Sequence, residues 1–84
     1  MIRVELFSKD DCHLCDVARA TLEKVRKIRP FDLRVTKIRD GDDVYERFKE
    51  RVPVIVVAGK IEFQYRISER ELMSALEAAS GMEP

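Results

Sequence analysis

The strongest constraint on how this chain can fold is one amphipathic stretch flanked by two runs of strand-like alternation. Ile2–Phe7 alternates apolar and polar residues, and so does Phe31-Asp32-Leu33-Arg34-Val35, which runs on to about Ile38. Between them Leu14, Ala18, Leu22, Val25 and Ile28 step by three or four, drawing one stripe along a helix from about Cys12 to Arg29. Asp10 or Asp11 stands where an N-cap oxygen is needed, and Pro30 marks the stop. A helix of that length between two strands requires a crossover connection. The strands are therefore expected to lie parallel, in a right-handed βαβ unit.

The remainder reads as shorter elements. The alternation slips between Val35 and Ile38, which predicts a bulge there or a strand end covered on both faces. Arg39–Asp43 is a turn rich in capping residues, and a short helix after it sets Val44, Tyr45 and Phe48 on one side. Val52–Val57 is the apolar run of a central strand buried on both faces. Ala58-Gly59-Lys60 connects it by a tight hairpin to Ile61–Tyr65, a half-exposed strand. Ser68 and Glu71 form a capping box that opens a last helix carrying Leu72, Met73, Leu76 and Ala79, ended by Gly81. The predicted order is β-α-β-α-β-β-α: an α/β fold with a four-stranded mixed sheet and helices on both faces. At 84 residues the whole of 1–84 is expected to form one domain.

Charge narrows the range of partners. Sixteen basic and sixteen acidic side chains give a net charge of zero, without the basic excess that phosphate backbones or anionic membranes attract. The first residues alternate in strand fashion, with no basic segment leading into an apolar one, and no run approaches a membrane span. A cytoplasmic location is expected. There a cysteine pair is normally kept reduced, and is more often catalytic or metal-binding than structural.

Cys12-His13-Leu14-Cys15 is the motif that carries chemistry. It opens the helix that follows the first strand of a βαβ unit, the setting in which a C-x-x-C pair is redox-active. Residues three apart on a helix face one another within disulfide range, so the bond can open and close with little backbone movement. The unpaired amides and dipole at a helix start favour a thiolate. Cys12, nearer that end, is expected to attack and Cys15 to resolve, while His13 points to solvent with a modest tuning role. Asp10, Asp11 and Asp16 oppose the thiolate by like charge. Two other readings stand beside this one: a pair of buried structural cysteines, or half of a zinc or iron–sulfur site completed by a second chain. One chain alone offers too few ligands to enclose a metal, and none is expected in a monomer.

With these residues in view, the chain resembles the glutaredoxin-like proteins of the thioredoxin superfamily. The resemblance rests on Val4-Glu5-Leu6-Phe7-Ser8, on the Cys12–Cys15 motif, and on Arg51-Val52-Pro53 with the hairpin after it. It implies a thioredoxin-like, glutaredoxin-type fold, and a cis bond before Pro53, where sequence alone favours trans. It implies that the Val52 backbone pairs with an extended substrate like an added strand. Lys9 stands where glutaredoxins often hold a lysine that contacts glutathione; as a plain turn residue it would be solvated. Arg51 is either an anion contact near Val52 or surface charge at a helix end.

The departures matter equally. Where glutaredoxins carry a Gly-Gly-x-Asp type turn for the glutathione amino end, this chain reads Gln64-Tyr65-Arg66-Ile67-Ser68. The expected activity is disulfide reduction or exchange on a protein or small-thiol substrate, serving electron transfer and redox homeostasis. No cofactor is expected beyond the Cys12–Cys15 disulfide itself. The expected donor is a flavin-dependent disulfide reductase, in preference to glutathione. The competing class is a non-enzymatic binding module on the same fold.

Overall fold

The computed structural model describes residues 1–81. The single-domain span expected over 1–84 runs past this range, residues 82–84 lying outside the described residues. Seven elements follow one another: β1 (Arg3–Ser8), α1 (His13–Ile28), β2 (Asp32–Lys37), α2 (Tyr45–Phe48), β3 (Val54–Val57), β4 (Ile61–Gln64) and α3 (Glu69–Ser80). The four strands form one sheet in the order β2-β1-β3-β4. As the crossover requires, β1 and β2 are parallel, with Arg3 opposite Asp32 and Ser8 opposite Lys37; β3 is antiparallel to both β1 and β4.

The register decides which residues share a face. Leu6 lies opposite Ile55 and Val4 opposite Val57. These four pack with Ala18, Leu22 and Val25 of α1 and Leu72, Leu76 and Ala79 of α3 in the larger core. Their neighbours in sequence, Phe7, Val54 and Val56, belong to a second cluster with Phe48 and Tyr45 of α2. Helices thus cover both faces, though α2 is a single turn. The capping box forms as expected: Glu71 N–H donates to Ser68 Oγ and Ser68 N–H to a Glu71 carboxylate oxygen, both at 3.0 Å. Such a cap contributes about 1 kcal/mol.

Several expectations are corrected. The N-cap of α1 is Cys12, not Asp10 or Asp11, because Asp11 turns into the left-handed region (φ 56) and delays the helix. Arg29, extended at φ −133, ends α1, as a residue preceding proline must be. Ile28, placed on the core stripe by its spacing, is 70% exposed at the helix end, and Leu14 at the other end is also exposed. No bulge interrupts β2, and its end is not covered on both faces; it is an edge strand with exposed residues from Arg34 to Lys37, and only Ile38 beyond it is buried. Strand β3 starts at Val54, since Pro53 has no N–H to give a ladder. Strand β4 stops at Gln64, because Tyr65 adopts φ 70. In α3, Met73 is half-buried.

Candidate active site

The parallel β1–α1 connection delivers the cysteine pair to the end of the sheet where β1 finishes. Cys12 has extended backbone geometry (φ −113, ψ 100), and its Sγ accepts the Cys15 N–H at 3.2 Å, so the sulfur itself caps α1. A cap of this kind presents Sγ to the positive end of the helix dipole. Cys12 and Cys15 are joined in a disulfide across a Cα–Cα distance of 5.2 Å, as their three-residue separation permits.

The two sulfurs differ in access. Cys12 is half-buried, whereas Cys15 is 3% exposed and packs among Ile38, Phe48, Val52 and Val54. The Val52–Pro53 bond is cis, as the resemblance implied, and Pro53 is buried. The Val52 N–H donates to the Phe48 carbonyl at 3.1 Å. Among the described residues no backbone amide donates to the Val52 carbonyl. Strand-like pairing through both groups of Val52 therefore competes with the last turn of α2, while the carbonyl alone stands ready to accept.

A groove of about 290 Å³ opens at Cys12, lined among others by Lys9, His13, Leu14, Val52 and Tyr65. It brings together four of the expected site residues, Lys9, Cys12, His13 and Val52, while Cys15 and Pro53 lie beneath the surface. Arg51 is exposed and lies outside this groove. Lys9 is not a plain solvated turn residue: its Nζ donates to the Lys49 carbonyl at 2.8 Å, tying the β1–α1 loop to the end of α2. Its charge still borders the groove. Lys49 is itself bound to Glu46 at 2.8 Å, and this hydrogen bond, followed by the carboxylate's charge, raises its ammonium pKa. On the other flank Lys37 binds Asp10 at 2.9 Å and holds that carboxyl below its ordinary value, by hydrogen bond first and charge second. The contribution of this pair is present above the ordinary carboxylate range and is lost as acid protonates Asp10.

Tyr65 and Leu14 are the site residues that motif reading passes over. Tyr65 reads in sequence as the last residue of an alternating strand. The one signal was the absence of glycine after β4, and the observed φ of 70 shows what that absence means: a tyrosine occupies a conformation suited to glycine.

The fold and the pair together define a thioredoxin-type protein with its C-x-x-C motif at the start of the first helix. Residues 3–77 match the glutaredoxin-like domain family (DUF836), and the chain belongs to it. Among solved structures, it is similar to the structural-genomics target protein XcR50 from X. campestris at 28% identity. That match covers 89% of this chain and 96% of the other, with a TM-score of 0.75. Thioredoxin 1 from Thermosipho africanus is similar at 19% identity, covering 95% of this chain and 96% of the other (TM-score 0.72). The malaria parasite's thioredoxin-2 is 14% identical over 93% of this chain and 82% of its own (TM-score 0.70). These last two share the fold. No curated protein sequence matches the chain.

Proposed function

We propose that this protein is a thiol–disulfide oxidoreductase in which Cys12 attacks and Cys15 resolves. The observation that carries the reading is the unequal access of a joined pair: Cys12 caps the helix at the groove, and Cys15 lies beneath it in an apolar cluster. In the reduced protein the Cys12 thiolate attacks one sulfur of a substrate disulfide. That S–S bond breaks, and the departing thiolate takes a proton. Cys15 then loses its proton and attacks Cys12 Sγ, releasing the second substrate sulfur as a thiol. Two electrons leave the protein dithiol, which ends as the Cys12–Cys15 disulfide. His13, exposed beside the nucleophile, and Lys9, bordering the same groove, supply local positive charge when protonated.

Protein purified without oxygen is expected to be a metal-free monomer whose two thiols oxidise reversibly, followed by thiol counting during a redox titration. Stoichiometric zinc, or an iron–sulfur spectrum on a dimer, would instead establish the binding-module reading. Among the described residues no helix is long and apolar enough to cross a membrane. The location we propose is the cytoplasm, because a reducing setting suits a pair that must be re-reduced.

The donor we propose is a flavin-dependent disulfide reductase. Tyr65-Arg66-Ile67 replaces the turn that would hold the amino end of glutathione. Each charge-assisted bond missing from a tripeptide lowers affinity about tenfold or more. Side-by-side turnover with thioredoxin reductase and with glutathione plus its reductase should favour the flavoenzyme. Saturable turnover with glutathione alone would sink this assignment.

A further inference from the structure

Tyr65 lies in the left-handed region immediately after β4, where a bulky residue is strained. The strained backbone is pinned. Its N–H donates to the Pro53 carbonyl at 2.9 Å, and the Arg66 N–H closes on the Gln64 carbonyl at 2.8 Å. The ring gains little burial in return: Tyr65 is 48% exposed, beside Leu14 at 37% and Val17 at 49%. Packing thus gives no reason for a tyrosine in this conformation. Position does. Tyr65 and Leu14 line both the groove that holds Cys12 and Val52 and a second groove of about 180 Å³ with Val17 and Ile67. Arg66 is the one charged residue lining that second groove, and among the described residues it has no acidic partner.

We infer that Tyr65 is a specificity-determining residue. With Leu14 and Arg66 it selects a polypeptide disulfide whose attacked cysteine is flanked by an apolar side chain and, beyond it, a carboxylate. The inference rests on the dithiol exchange proposed above. An extended segment donating an N–H to the free Val52 carbonyl runs through the groove of Cys12, with side chains projecting alternately to its two sides. An apolar flank covers the Tyr65–Leu14 wall, and a carboxylate answers Arg66 with a charge-assisted bond. Glutathione offers carboxylates to Arg66 but no apolar side chain to Tyr65, which separates the two substrate classes.

The test uses the reduced full chain in single-turnover exchange, quenched and read by mass. Three disulfides are compared: a peptide with leucine before its cysteine and aspartate beyond, the same peptide with serine at both places, and glutathione disulfide. The wild type should prefer the leucine peptide over the serine peptide by about tenfold. Tyr65→Gly, which fits φ 70 without strain, should bring that ratio to about one and melt no lower than wild type. Tyr65→Phe should keep the preference. A wild-type ratio near one, a ratio unchanged in Tyr65→Gly, or glutathione disulfide reacting faster than the leucine peptide would each overturn the role. So would an equal fall in all rates of Tyr65→Gly, which marks a structural part only. A wild type that reduces none of the three fails the oxidoreductase reading itself; reduction without preference fails Tyr65 alone.

Discussion

Cys12→Ser should reduce thiol–disulfide exchange to the uncatalysed background, a loss of about a thousandfold or more, because a serine hydroxyl forms no disulfide with the substrate. Cys15→Ser should behave differently. Cys12 remains at the start of α1, half-exposed at the groove, and still attacks. The mixed disulfide then has no neighbouring thiol to resolve it, and one substrate moiety per chain accumulates. Access fixes the asymmetry, since Cys15 sits among Ile38, Phe48, Val52 and Val54 where an external disulfide does not reach it. Intact-mass measurement after a single addition of model disulfide reads both outcomes. Dithiol reductase activity persisting in Cys12→Ser, or a Cys15→Ser protein that forms no adduct, would remove the assignment of roles.

What sequence reading reached and what it missed divide along the range of the interactions involved. The Ser68–Glu71 box is local, three residues apart, and both its bonds form. The stripe of Ala18, Leu22 and Val25 is periodic and buries as periodicity demands. The parallel β1–β2 pairing follows from chain geometry alone. The failures sit where a distant group decides. Nothing near Lys9 in sequence announces that its ammonium bonds a carbonyl forty residues away. Tyr65 continues the alternation of β4, yet its amide bonds the Pro53 carbonyl twelve residues away and the residue lines the groove that holds Cys12. The Val52 amide is held locally instead, by the Phe48 carbonyl four residues earlier in the chain. Alternation in β2 likewise cannot say whether a strand is central or an edge, since both read alike along the chain. The cap is a subtler case: one left-handed residue, Asp11, moves the helix start so that a sulfur replaces a carboxylate. For the chemistry this is the more consequential outcome, because it sets the attacking atom itself on the helix end.

Phe48→Ala should be the most destabilising change at the site's base. A helix of one turn has no stability of its own, so α2 (Tyr45–Phe48) stays in place through what its side chains bury. Phe48 is its only buried residue; its ring packs on Phe7 at 5.1 Å between centroids, with the Arg47 guanidinium 5.1 Å from it. The Phe48 carbonyl also accepts both the Arg51 and Val52 amides, and the adjoining Lys49 carbonyl accepts Lys9. Truncating a buried phenylalanine costs about 3–5 kcal/mol. Typical domains hold about 0.05–0.15 kcal/mol per residue, so the loss consumes a large share of what 84 residues provide. The melting temperature should fall by about 15–30 °C, while Phe48→Leu, which keeps most of the volume, should lose far less. Since Phe48 walls off Cys15, the reduced Phe48→Ala protein should also alkylate at Cys15 faster than wild type, well below its melting point. Thermal unfolding by circular dichroism and peptide-resolved alkylation measure the two effects. A stability loss under about 1 kcal/mol would mean that α2 is held by something other than this ring.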